Sequence, residues 1–198
     1  MNITKDYIHY PKLILASASP RREQLLKQIG LEFEVMPSDF DESRVCMNNP
    51  AETAERAALE KARAVAKKLI EGIVIGADTI VVHENEVMGK PKDQSDAIKM
   101  LKRLSGKKHE VITGVALVNA RNNREYVWSE KTSVWFRQLS NIEIKKYVES
   151  GQPMDKAGAY GIQGRAAAFV KKINGCYFNV VGLPLASLVE NLKRFIGT

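Results

Sequence analysis

One stretch narrows the choice of fold more than any other. "GIVIGADTIVV", Gly72 to Val82, is apolar apart from Asp78 and Thr79. With the polar turn at Glu84-Asn85 and the apolar residues beyond it, the stretch reads as a buried strand followed by a returning strand. An ionised carboxylate buried alone is very costly, so Asp78 requires a cation, a metal or hydrogen bonds. A turn at Gly76-Ala77-Asp78-Thr79 would break the strand and release the charge, but the strongly apolar flanks argue for an unbroken one. Asp78 then reads as a cleft-lining carboxylate, suited to holding a divalent ion or to taking a proton from water.

Around this strand the chain alternates at first between strand and helix. "KLILAS" reads as a buried strand, and Ser19-Pro20 opens a helix that Gly30 stops. "FEVMPSDFDESRV" reads as a second strand running into an acidic loop. Asn49-Pro50 begins a long helix with Ala54, Ala57, Ala58, Ala62, Val65 and Leu69 at helical spacing, ended by Gly72. "SDAIKMLKRLSG" is a helix stopped at Gly106. Two long strands joined at Asn122-Asn123 follow, and then a helix capped by Ser140. A glycine-rich loop precedes the strand "AAAFVKKING", and a final amphipathic helix carries Leu185, Leu188, Val189 and Leu192. The pattern predicts an α/β chain with a mixed sheet and flanking helices, and it does not repeat as a βαβ barrel would. No linker marks a boundary, so residues 1–198 read as one domain, with two lobes sharing a cleft left open.

The net charge of +7 suggests an anionic partner: nucleotide, nucleic acid or acidic lipid. Cys46 and Cys176 form no CxxC pair, and His9, His83 and His109 have no metal-ligand spacing. The amino-terminal segment lacks a signal-peptide apolar region, and no stretch approaches membrane-spanning length, so a cytoplasmic location is expected.

"ASASPRREQLL" places two arginines at the positive end of a helix dipole, where each costs roughly 0.3–1 kcal/mol without an anion. Pro20 suits the first helical position and Ser19 the N-cap. The backbone N–H groups from Arg21 onward, with Arg21, Arg22 and the hydroxyls of Ser17 and Ser19, can surround a phosphate. Standing alone, SPRR would read as two solvated arginines eased by Glu23. Here it follows an apolar strand, and open α/β sheets hold ligands at strand C-terminal ends. Asp39, Asp41 and Glu42 in "SDFDES" supply hard oxygens of the kind Mg²⁺ takes together with substrate phosphates, though a solvated acidic turn fits as well. Lys90, between Gly89 and Pro91, suits a phosphate contact, though an exposed hairpin-end lysine is the commoner case, and Lys61 on the long helix reads as an ordinary solvated cation. "DKAGAYGIQG" combines Gly158, Gly161 and Gly164 with Asp155, Lys156, a stacking ring in Tyr160 and a base-reading amide in Gln163. Neither GxxxxGK[ST] nor a strand-borne GxGxxG is present. The combination fits a nucleoside triphosphate with a divalent ion.

These motifs, with "LSGKKHEVITGVAL" and "INGCYFNVVGLPL", closely resemble the Maf family of nucleoside triphosphate pyrophosphatases, from about Lys12 to the C-terminal helix. The resemblance implies an elongated mixed sheet with a cleft between two lobes, like that of inosine triphosphate pyrophosphatases. It also implies hydrolysis to monophosphate and pyrophosphate with a divalent cation (Mg²⁺, Mn²⁺ or Co²⁺), and a homodimer. By motif position, Ser17, Arg21 and Arg22 match the phosphate site and Lys61 the helix lysine. Asp78 matches the proton acceptor, Lys90 the lysine after the hairpin, and Glu42 the acidic loop residue. The metal is then expected on Glu42 and Asp78. Arg21, Thr79 and Gln163 are the combination of the branch acting on dTTP and UTP. Some members are called septum formation inhibitors. The rival expectation is therefore a non-enzymatic protein that binds nucleic acid or regulates septum formation; against nucleic acid, the chain lacks clustered aromatics. No membrane partner is expected.

Overall fold

A computed structural model describes residues 11–41, 45 and 49–197. In chain order the elements are β1 (Leu13–Leu15), α1 (Pro20–Gln28), β2 (Glu34–Val35), α2 (Pro50–Ala66), β3 (Ile73–His83), β4 (Glu86–Met88), α3 (Gln94–Leu104), β5 (Lys108–Asn119), β6 (Glu125–Phe136), α4 (Asn141–Glu149), β7 (Val170–Asn174), α5 (Tyr177–Val181) and α6 (Leu185–Gly197). The strands form a seven-stranded sheet in the order β2-β1-β3-β5-β6-β7, with β4 paired to β3. The sheet is mixed: β1 runs parallel to β2 and β3, while β3/β4 and β6/β7 are antiparallel. An α/β fold with flanking helices is what the alternating pattern predicts.

Local chemistry explains most boundaries. Asn49 caps α2 by accepting from the Ala51 N–H, and Ser140 with Glu143 forms a full capping box on α4. Glu84 and Asn85 both take positive φ in the β3–β4 turn, the requirement of a tight hairpin. Three expectations are corrected. The second strand shrinks to Glu34–Val35. Helix α2 ends at Ala66, well before Gly72. Ala166–Phe169 lies in a short 3₁₀ turn, so β7 starts only at Val170.

The chain divides into two compact units, and β3, β5 and β6 pass from one to the other at Asp78/Thr79, Ile112/Thr113 and Glu130/Lys131. The first unit contains β1, α1, β2, α2, α6 and the adjoining parts of the long strands. Its core packs the alanine-rich face of α2, Ala58, Ala62 and Val65, on Ile14, Val74, Ala116 and Val118. The second unit holds β4, α3, α4, β7, α5 and the glycine-rich loop. A ring cluster of His109, Phe136, Tyr160, Phe169 and Tyr147, in edge contacts 4.8–6.0 Å apart, fills part of its interior.

Candidate active site

In the first unit, β1 delivers Ser17 to the start of α1. Ser17 is buried, and its Oγ accepts from the Ser19 N–H at 3.2 Å and from Arg22 Nη1 at 3.1 Å. Arg22 is buried as well, and its Nε donates to the Gly182 carbonyl at 2.9 Å. Ser19 is the N-cap of α1, as expected, but its side chain makes no capping bond; its N–H donates to Ser17. Glu23 pairs with Lys27 at 2.6 Å. A hydroxyl has two acceptor lone pairs and one proton. With both lone pairs of Ser17 engaged, its proton remains to be donated to an acceptor, as a phosphate oxygen would be. Arg21, next to Arg22, is half-buried.

The second feature of this unit is a buried ion pair. Lys61 Nζ lies 2.6 Å from Asp78 Oδ1 and 3.5 Å from the Ala77 carbonyl, and the two side chains are only 8% and 11% exposed. The backbone explains how they meet. Gly76 and Asp78 stand two apart on β3 and share one face of the strand. Helix α2 crosses that face so closely that a Cβ on Gly76 would lie 2.1 Å from the Ala58 carbonyl oxygen. On β5, a Cβ on Gly114 would lie 2.2 Å from the Ala54 carbonyl carbon. Lys61 is one helical turn beyond Ala58, which brings it over Asp78. Arg63 forks onto Glu125 at 2.6 and 2.7 Å, and Glu55 accepts from the Ser129 hydroxyl at 2.6 Å, so α2 is also pinned to β6. The sequence-level picture of Lys61 as a solvated cation is therefore corrected.

In the second unit, Thr79 continues β3 and is half-buried, while Lys90 and Gln163 are exposed. The Gly158 N–H donates to the carbonyl of Gly89, the residue before Lys90, at 3.0 Å. Tyr160 is 5% exposed, with its hydroxyl 2.7 Å from His109 Nε2. It therefore cannot be the solvent-facing stacking ring that the loop composition suggests. Burial pushes the Tyr160 phenol far above the usual tyrosine range. Burial, with a smaller contribution from His83, pushes His109 down to about 3. Asp155 and Lys156 pair with each other. Glu42 lies outside the described residues.

The profile of the family described as Maf-like protein matches residues 12–195. The chain belongs to the Maf family. It is 56% identical over 184 residues to a dTTP/UTP pyrophosphatase of Symbiobacterium thermophilum, covering 93% of this chain and 94% of that one. It is 52% identical to a dTTP/UTP pyrophosphatase of Carboxydothermus hydrogenoformans, covering 93% and 98%. Among solved structures, the Ham1 protein of Staphylococcus aureus aligns with a TM-score of 0.51 at 15% identity, over 94% of this chain and 98% of that one. A HAM1 protein from Coxiella burnetii aligns with a TM-score of 0.54 at 16% identity, over 93% and 99%. At such identities the likeness is one of fold, and it agrees with the fold the Maf motifs imply.

Of the motif residues, the structure brings together Ser17 with Arg22 and Lys61 with Asp78. The sequence reading missed the Gly182 carbonyl that holds Arg22 and the glycines that admit α2. A signal for the glycines was present: Gly76 and Gly114 interrupt long apolar strands, and α2 offers a face of alanines. Small residues on both surfaces are what a close helix–sheet approach needs. Among the described residues, no group of three or more His, Cys, Asp or Glu is arranged to hold a metal ion, and no helix is long and apolar enough to cross a membrane.

Proposed function

We propose that this Maf-family chain is a nucleotide pyrophosphatase. It hydrolyses dTTP and UTP between the α- and β-phosphates, giving the nucleoside monophosphate and pyrophosphate. The observation that carries the reading is the buried Lys61–Asp78 pair, in a chain about half identical to relatives named dTTP/UTP pyrophosphatase. A fold alone would leave the chemistry open. An acid and an ammonium buried together on β3 and α2 suit polyphosphate hydrolysis: a proton acceptor beside fixed positive charge.

In this reading Arg21, Arg22, Lys61 and Lys90 neutralise the triphosphate and the departing pyrophosphate. Ser17 donates its remaining hydroxyl proton to a phosphate oxygen. Asp78 takes the proton from the attacking water. Arg21, Thr79 and Gln163 select thymine or uracil by hydrogen bonds that other bases leave unpaired. Mg²⁺ is commonly held by one or two carboxylates plus substrate phosphates and needs no cage built wholly of protein, so the one described carboxylate of the proposed pair, Asp78 with Lys61 on its Oδ1, is compatible with a divalent cation. Asp78, with Glu42, would hold Mg²⁺, Mn²⁺ or Co²⁺, which when bound supplies Lewis-acid charge to the phosphates. A homodimer belongs to the same proposal.

The test combines a substrate panel with one variant. Pyrophosphate release should be well above that from ATP and GTP when dTTP or UTP is supplied with a divalent cation. Asp78→Asn should lose most turnover. The asparagine carbonyl oxygen still accepts from Lys61 but no longer balances its buried charge, so a loss of stability is expected too, and turnover is compared at a temperature where circular dichroism shows the variant folded. Comparable rates on all common triphosphates would overturn the substrate assignment, and wild-type turnover in Asp78→Asn would overturn the base. Salt-sensitive DNA binding with no pyrophosphate release would return the case to the non-enzymatic rival.

A further inference from the structure

The glycine-rich loop is held in a shape that its composition does not dictate. Gly158, Gly161 and Gly164 leave the backbone many conformations. Yet Ala159, which has a Cβ, sits at φ +60, directly after Gly158 at φ +66. A non-glycine residue in the left-handed region costs about 1 kcal/mol or more and persists only where its surroundings over-determine it. Those surroundings are visible. The Gly158 N–H is bonded to the Gly89 carbonyl at 3.0 Å, and Val81 methyls stand 3.0 Å from where a Gly158 Cβ would be. Tyr160, the next residue after Ala159, is buried with its hydroxyl 2.7 Å from His109 Nε2, at the start of β5. Downstream, Ile162 is buried, and the Arg165 N–H donates to Gln152 Oε1 at 3.2 Å. Gln163 is thus an exposed amide between two anchored points. A recognition group must be held to within about 0.5 Å to discriminate. Neither His109 nor Tyr160 faces solvent, and the reaction outlined above uses neither.

We propose that His109 and Tyr160 are positioning residues for base selection: their hydrogen bond locks the strained turn at Ala159 and so fixes the loop that presents Gln163. The Gly158–Gly89 bond keeps this loop in register with the segment that carries Lys90. The proposal rests on the reading of Gln163 as the base-reading amide.

The test measures kcat and KM with UTP and with CTP, alongside thermal stability, for wild type, Tyr160→Phe, His109→Phe, the double variant and Gln163→Ala. UTP and CTP share sugar and polyphosphate and differ where a base acceptor becomes a donor. Tyr160→Phe keeps the ring and removes only the hydroxyl. The UTP-over-CTP ratio of kcat/KM should fall about tenfold, as expected for one lost hydrogen bond. The fall should come through KM for UTP, with kcat within about twofold of wild type. His109→Phe should match it, and the double variant should fall no further. An unchanged ratio in both single variants, or an equal loss of kcat on UTP and CTP, would overturn the proposal. If Gln163→Ala itself leaves the ratio intact, the reading of Gln163 fails, whatever Tyr160→Phe does. Should Tyr160→Phe not fold, His109→Phe carries the test alone.

Discussion

His109 offers a test of the interior of the second unit that needs no substrate. It is 2% exposed, with edge contacts to Phe136 and Tyr160 and with His83 as its other titratable neighbour. Burial and then His83 push its imidazole down from 6.5 to about 3, so the folded protein keeps it neutral far into acid. Its Nδ1 is buried with no hydrogen-bond partner, so a charge there has nothing to pair with. The unfolded chain protonates near the ordinary value. Between those two values the unfolded state therefore binds more protons, and stability falls as pH falls through that window. At 1.36 kcal/mol per pH unit, the loss between about pH 7.5 and about pH 5 is about 2 kcal/mol from this residue alone. Urea titrations of wild type and His109→Gln at the two pH values isolate it, because every titrating group not coupled to His109 cancels in the double difference, which leaves the smaller contribution of His83. Wild type should lose about 2 kcal/mol more than the variant on acidification. Parallel losses in the two proteins would refute the reasoning, since they would mean that His109 protonates in the folded state as readily as in the unfolded one.

Two further outcomes test the first unit. Lys61→Met leaves Asp78 as an unpaired buried charge and should destabilise by about 3–5 kcal/mol in urea titration. Adding Asp78→Leu should return most of that stability without restoring pyrophosphate release, because the loss arises from the stranded charge. Gly76→Ala puts a Cβ 2.1 Å from the Ala58 carbonyl oxygen. It should cost about 1–3 kcal/mol by overpacking, more than the entropy that alanine removes from the unfolded chain. Turnover should fall with stability, because α2 cannot retreat without carrying Lys61 off Asp78; wild-type pyrophosphate release at a lowered Tm would break that link.

What was legible in the sequence, and what was not, follows from the range of each interaction. Asp78 announced its need for a partner because a carboxylate inside an apolar strand is anomalous on its own. The identity of the partner was hidden: Lys61 is seventeen residues earlier, on a helix where a lysine usually reaches water. The N-cap rule named Ser19, whereas the buried Ser17, two residues upstream, collects both the Ser19 N–H and Arg22. Local rules rank side chains by position in the chain, and burial re-ranks them. Tyr160 shows the same effect. Composition offered a ring in a binding loop, and only the tertiary pairing with His109 shows which side of the loop that ring takes.

The glycines connect these cases. In the first unit, Gly76 and Gly114 lack the atoms that would hold α2 away, and the Lys61–Asp78 pair exists because of that missing volume. In the second unit, Gly158 lets the loop enter the left-handed region, and a hydrogen bond between two buried rings then has to hold it there. The groups assigned to chemistry are therefore set by residues that have none. Loss of turnover should therefore follow from an added methyl group at Gly76, and loss of base selectivity from a deleted hydroxyl at Tyr160, with every charged residue of the site left in place.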